Sequence, residues 1–302
     1  MKTVCILGAG PSGLVTGLFL ARKGWDVKIF EKANIIGGMC RSWKWDDFIL
    51  DTGPHIFHTS NKQLWNFWKK NFGELLIEGK YFAKNIPDDN LKVSYDYPIS
   101  NATFDKMPVH LKYKIKNELK KNDYYPIANN FKEQIINQVG PTLQKMFFQG
   151  YPEKVWGESV EDLTSEWAPK RIKIHKKKLP FFGDENTAVG KYGTGSIYEK
   201  IKKEIVKLGG KIYLDHKITN FRFKNNQINQ IIFDKKKSYV LKKDELLISS
   251  LPINLTAGIL GYKSKLKFRG IRSIYISVNK KRVFPLDTDW IYYASKKIIF
   301  NR

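Results

Sequence analysis

Acidic residues are scarce in this chain: 29 Asp and Glu face 53 Lys and Arg, giving a formal net charge of +24, and only eight of the cations are arginine. Such an excess either draws polyanions or is a lysine-rich surface spread over the whole length. No RNP-type motif, zinc-finger spacing or recognition-helix pattern accompanies it, so nucleic acid is not the expected partner. Cysteine is nearly absent, with only Cys5 and Cys40, which rules out a disulfide framework and fits a reducing cytoplasm. No apolar run approaches the ~18 residues of a spanning helix. Five histidines occur, and His110, His175 and His216 stand alone, so metal-ligand spacing is missing. No Ser-His-Asp set or paired carboxylates stand out, and no low-complexity linker divides the chain.

What is present is a core and a glycine-rich start. The 302 residues are 42% hydrophobic and 27% charged, ordinary for a globular protein of one large or two intimate domains; 14% aromatic leaves rings for pocket walls as well as core. The N-terminus has the basic start and apolar run of a signal peptide, but reads better as strand, turn and helix. TVCILG (3–8) is rich in strand formers and runs into GAGPSG (8–13), then a helical pattern over 14–24, then a second strand, DVKIFE (26–31). Gly8, Gly10 and Gly13 have G-x-G-x-x-G spacing around Pro11 and Ser12. Gly8 permits the tight turn, Gly10 lets backbone approach a pyrophosphate, and Gly13 lets the helix pack close to the strand. The helix N-terminus offers free N–H groups to phosphate. Glu31, at the tip of the second strand and followed by Lys32, can accept from ribose hydroxyls; an acid there argues against a 2′-phosphate.

Shortly after Glu31 comes GGMCRSW (37–43), and then GPHIFHT (53–59). The paired glycines Gly37 and Gly38, with Met39 and Arg41, resemble the flavoprotein pattern of amine oxidases, protoporphyrinogen oxidases and UDP-galactopyranose mutases, and imply FAD. The GPHIFHT segment is similar to one that passes beside the isoalloxazine ring in the mutases. The resemblance implies flavin contact and a catalytic role for His55, and for His58 either a catalytic contact or a turn that packs on the ring. GYPEKVWG (150–157) also resembles the mutases, in a segment lining the sugar-nucleotide cleft. By that resemblance Tyr151, Trp156 and Arg171 are substrate-binding; the alternative is a helix and turn with core aromatics. Where the mutases place a second arginine this chain has His175, followed by three lysines, and SEWAPKRIK is closer to protoporphyrinogen-oxidase-like proteins. Ile218 matches a position whose backbone meets adenine.

The expected fold is α/β: a Rossmann-like FAD-binding domain with a parallel sheet, interleaved with a helical insertion and a mixed or antiparallel-sheet substrate domain. Residues 1–85 form its first part, 86–185 the mostly helical insertion, and 186–260 the return with a β-meander. Residues 261–302 supply substrate-domain strands, including IRSIYISVN (271–279), and stop short of a usual member, as a fragment or a chain completed by a partner would. The resemblance implies a soluble, cytoplasmic flavoenzyme, possible as an oligomer, acting on a nucleotide sugar through reduced flavin without net redox. The rivals are an oxidase-type FAD oxidoreductase and a non-catalytic remnant.

Overall fold

The apolar run after Lys2 forms β1 (Thr3–Leu7), whose last four residues are buried, as a strand covered on both faces requires. The computed structural model describes residues 1–121, 124–169, 172, 174–183, 185–266, 268–283 and 287–302. Helix α1 (Pro11–Arg22) starts with proline in its first turn and carries no acid there. β2 (Asp26–Phe30) follows. A hairpin, β3 (Ser42–Trp45) with β4 (Phe48–Asp51), turns at Asp46, whose φ is 50°. Then come β5 (Phe57–Thr59), α2 (Lys62–Phe72) and β6 (Leu76–Glu78). The Asn61 side chain caps α2 by accepting from the Leu64 N–H at 3.0 Å, a residue type and position suited to that task.

The chain then builds β7 (Ala83–Ile86), β8 (Tyr95–Tyr97) and four helices, α3 (Asn101–Asp105), α4 (Val109–Glu118), α5 (Phe131–Phe148) and α6 (Gly150–Trp156). α5 is kinked at Gly140, immediately before Pro141, because proline cannot donate to the preceding turn. Glu118 recaps the second half, accepting from the Thr142 N–H at 2.9 Å and its hydroxyl at 2.7 Å. The return leg holds β9 (Asn186–Gly190), α7 (Gly195–Lys207), β10 (Lys211–Tyr213), β11 (Ile218–Lys224), β12 (Gln227–Phe233), β13 (Ser238–Val240), β14 (Leu246–Ser249) and α8 (Ile253–Ile259). The last strand is β15 (Trp290–Tyr293).

Two compact units result, residues 1–78 with 186–275, and residues 79–185 with 276–302. In the first, a parallel sheet runs β10-β2-β1-β14. One face packs Val4, Ile6, Val27 and Ile29 against Leu14 and Leu18 of α1 and Ile197, Ile201 and Ile205 of α7. The other packs Cys5, Leu7 and Phe30 against Phe221, Ile231 and Phe233 of the β11–β13 meander. This is the Rossmann-like arrangement the sequence pattern implies. In the second unit a mixed sheet, β15-β7-β8, joins parallel and antiparallel pairs, and α5 supplies much of the helical core through Ile135, Val139 and Leu143.

One expectation fails. No strand is assigned over 271–279; alternation alone cannot make a strand without a neighbouring edge to pair with. A different device holds the end of the chain. Lys154 of α6 donates to the carbonyl oxygens of Tyr293 at 2.8 Å, Ser295 at 3.0 Å and Phe300 at 2.6 Å, and burial lowers its pKa. Lys154→Met removes the donor from all three, and the expected loss is about 2 kcal/mol. A thermal melt, falling by roughly 4–8 °C at the per-kilocalorie shift for this size, checks it; an unchanged melting temperature contradicts it.

Candidate functional site

A backbone cradle is assembled by two glycine turns that hold one another. Gly8 has φ +97°, open to glycine and few others, and its N–H donates to the Phe30 carbonyl at 2.8 Å. A Cβ on Gly13 would lie 2.0 Å from the Gly8 carbonyl oxygen, so α1 enters closer to β1 than any side chain permits. A Cβ on Gly10 would meet nothing nearer than the Gly38 Cα at 4.0 Å; the space above Gly10 is open. The Gly37 N–H donates to the Ala9 carbonyl at 2.8 Å, fixing the second turn beside the first. No side chain caps the N-terminus of α1, which leaves its first amides and positive dipole end for an anion.

Glu31 is buried and braces this cradle. One carboxylate oxygen accepts from the Ala9 N–H at 2.8 Å, the other from the Ala33 N–H at 2.9 Å. Each oxygen keeps a second lone pair, which a ribose hydroxyl can use. Pro11 is half-buried and Ser12 exposed at the mouth; Lys32 and Met39 are exposed, and Arg41 is half-buried. Ile218 opens β11, paired with Phe233.

His55 is half-buried, with Nδ1 2.7 Å from the Gly53 carbonyl of its own turn. His58 lies on β5, exposed, opposite Thr187 of β9. A brace that sequence reasoning missed sits just before them. The Asp51 carboxylate accepts from the Thr194 N–H at 3.1 Å, from the Thr194 hydroxyl at 2.6 Å and from the Ser42 hydroxyl, and Ser42 Oγ accepts from the Gly195 N–H at 2.8 Å. Asp51 thus locks the β3–β4 hairpin to the start of α7. The signal was the Asp two residues before Gly53, but nothing local names its distant partners.

Two cavities among the described residues bear on the candidate site. One, of about 590 Å³, is lined by Ile36, Arg41, Trp43, Lys44, Tyr192 and Glu199 among others, and includes none of Gly8, Gly10 or His55. Cavity size therefore does not single out the glycine turns; their open backbone donors do. The other, about 250 Å³, lies in the second unit and is almost wholly aromatic, with Tyr97, Phe147, Tyr151, Trp167, Phe181 and Tyr292 among its walls. Tyr151 and Tyr292 meet edge to face at 4.6 Å. Trp156 is not in that wall; its ring packs edge-on against Trp167 at 5.3 Å, and its buried indole N–H lacks a partner. Arg171 lies outside the described residues.

Burial raises the pKa of Tyr97, Tyr151 and Tyr292, and the neighbouring phenols add to this at Tyr97 and Tyr151. All three stay protonated at neutral pH and can donate. The Arg302 guanidinium lies beside Tyr292 and Tyr151 and offsets part of the rise. Tyr97, Phe181, Tyr292 and Arg302 escaped sequence reasoning, because the β15–β7–β8 pairing that gathers them joins residues some 200 positions apart.

A family model for an NAD(P)-binding Rossmann-like domain matches residues 6–70. The chain is 31% identical over 176 residues to dTDP-fucopyranose mutase of Escherichia coli, covering 55% of this chain and 44% of that enzyme. It is 42% identical over 66 residues to UDP-galactopyranose mutase of Mycoplasma pneumoniae, covering 20% and 16% of the two. Together these matches support an FAD-dependent flavoprotein of the amine-oxidase superfamily. A solved reduced UDP-galactopyranose mutase shares the fold, with a TM-score of 0.71 at 19% identity over 88% of this chain and 58% of that one. The chain thus matches less than two-thirds of the length of these relatives.

FAD is the cofactor of this superfamily, and the flavoprotein's own residues fit its ADP half: an open glycine, uncapped helix amides and a buried acid with spare lone pairs. Among the described residues no group of three or more His, Cys, Asp or Glu could hold a metal, and no helix is long and apolar enough to cross a membrane.

Proposed function

We propose that the flavoprotein acts on a nucleotide sugar with reduced FAD, as a mutase of the UDP-galactopyranose kind. The observation that carries the reading is the aromatic cavity with Tyr151 in its wall and Arg302 beside it. Faces of this kind stack on a nucleobase or sugar, while neutral phenols and a guanidinium receive a diphosphate. The similarity to dTDP-fucopyranose and UDP-galactopyranose mutases supports the same substrate class.

When bound, reduced FAD supplies the nucleophile for such chemistry. The chain's own part is to hold and orient. Gly10, the α1 amides and Glu31 hold the ADP half, with Pro11, Ser12, Lys32, Gly37, Gly38, Met39, Arg41 and Ile218 around it. His55, fixed by its own turn, and His58 are the side chains assigned to the flavin ring. Tyr151, Trp156 and Arg171 are assigned to substrate, and Tyr97, Tyr292 and Arg302 join them.

The test is incubation of FAD-loaded protein with UDP-galactose or a dTDP-hexose, with and without dithionite, products being separated by chromatography. Furanose product formed only under reduction supports the mutase. Bleaching of oxidised flavin by an amine or a porphyrinogen, with no furanose, replaces it with an oxidoreductase. Tyr151→Ala is expected to weaken UDP binding about tenfold, near 1.4 kcal/mol, with FAD retention unchanged; equal UDP affinity contradicts the assigned role.

A further inference from the structure

The surplus of positive charge is one-sided on α4 and the turn after it. From Val109 to Lys121 the sequence holds five lysines, no arginine and a single acid, Glu118. That acid is turned inward, its carboxylate accepting from the N–H and hydroxyl of Thr142 on α5. The helix rests on the core of the second unit through Leu111 and Ile115, the latter 1% exposed. On the outward side Val109, Tyr113 and Lys116 follow one another at i, i+4 and i+7, the spacing of a single helical stripe, and Lys120 follows in the turn. Val109 and Tyr113 are each 67% exposed. Lys116 and Lys120 are exposed as well, and so are Lys114 and Lys121 beside the stripe. Among the described residues none of these four lysines forms an ion pair, whereas Lys112 donates to the Asp105 carbonyl at 3.1 Å.

We infer that this face of α4 adsorbs to an anionic lipid surface, with Val109 and Tyr113 at the headgroup level and Lys114, Lys116, Lys120 and Lys121 among the phosphates. Three features select that occupant. The face is convex, and neither cavity described above is lined by any of its residues; a headgroup layer needs no groove, whereas an acidic peptide docks in one. The cations are all lysine, point charges suited to a fluid array of anions, and each near such a surface contributes to adsorption. The stripe also carries an aliphatic side chain and a tyrosine, which a nucleic-acid backbone would leave in water and a lipid interface takes up. A second copy packed on this face about a two-fold axis would set Lys116 and Lys120 against their own kind, with no outward acid on α4 to meet them. Adsorption of this sort needs no spanning helix. The inference stands independently of the substrate reading, since it concerns neither cavity nor cradle.

The experiment is co-sedimentation of FAD-loaded residues 1–302 with phosphatidylglycerol–phosphatidylcholine vesicles, and with phosphatidylcholine vesicles alone. The expected result is binding to the anionic vesicles only. Because the whole chain is cationic, position is tested as well as charge. Lys116→Glu with Lys120→Glu is expected to weaken binding about 30-fold or more. The same reversal at Lys235 and Lys236, exposed on the turn between β12 and β13, is expected to weaken it less than about threefold. Val109→Ser with Tyr113→Ser leaves the charge unchanged and decides the matter if the reversed helix unfolds; it is expected to weaken binding about tenfold with an unchanged melting temperature. Equal losses at the two lysine pairs, equal binding to both vesicle types, or a Val109→Ser, Tyr113→Ser protein that binds as the parent does overturns the inference. So does preference for a DNA oligonucleotide or polyglutamate over the vesicles, or self-association in sedimentation that Lys116→Glu dissolves.

Discussion

Gly10→Ala is expected to weaken FAD binding by about 30-fold, roughly 2 kcal/mol, with the melting temperature held within about 2 °C of the parent. The two effects separate because of where the added carbon goes. Gly10 has φ −77° and ψ −179°, backbone that alanine adopts without strain. Its new Cβ would touch no protein atom closer than 4.0 Å, so folding loses nothing. That same open space is where a pyrophosphate must approach the backbone, and a methyl group there holds it off. Gly13→Ala behaves in the opposite way. Its Cβ would sit 2.0 Å from the Gly8 carbonyl oxygen and 2.9 Å from the Ser250 hydroxyl; backbone cannot yield cheaply, and overpacking of this kind costs about 1–3 kcal/mol or more. Thermal melts and fluorescence titration with FAD on both variants check the pair. A Gly10→Ala protein that binds FAD as the parent does contradicts the cradle; a Gly13→Ala protein as stable as the parent contradicts the packing.

Asp51→Ala is expected to cost about 3 kcal/mol, since hydrogen bonds to a charged group contribute about 1.5–3 kcal/mol each and some relaxation follows. At the shift usual for this size the melting temperature falls by roughly 6–12 °C. Thr194 is 1% exposed, so its N–H and hydroxyl find no water when the carboxylate is removed. The loss also reaches the site. Arg41 immediately precedes β3 and Gly53–His55 follow β4 after Thr52, so a hairpin released from α7 loosens both, and FAD affinity is expected to fall about tenfold. Asp51→Asn keeps one acceptor and should recover part of both losses. A melting temperature unchanged in Asp51→Ala removes the brace from this account.

The elements written in contiguous residues were legible beforehand. β1, the glycine turn, α1 and β2 follow one another within 31 residues, each with its own local signal: apolar run, glycine spacing, helical period, terminal acid. An acid at the tip of β2 was readable at Glu31; that it braces Ala9 and Ala33 was not, because backbone amides leave no mark in sequence. The β3–β4 hairpin went unread, since its Asp46–Asp47 tip lacks the glycine that announces a tight turn. Tyr151 was visible through its motif, whereas Tyr97, Tyr292 and Arg302 are brought to it only by long-range pairing of β15 with β7. The strand expected at 271–279 shows the converse limit. Its alternation is real, but a strand is completed by the edge beside it, and this chain offers none there among the described residues.

The account rests on one claim, that the paired glycine turns of this flavoprotein hold FAD. Its most direct test is the visible absorption spectrum of residues 1–302 after loading with FAD and gel filtration. The account predicts a flavin spectrum travelling with the protein at one flavin per chain. A folded chain that emerges colourless at saturating FAD contradicts it.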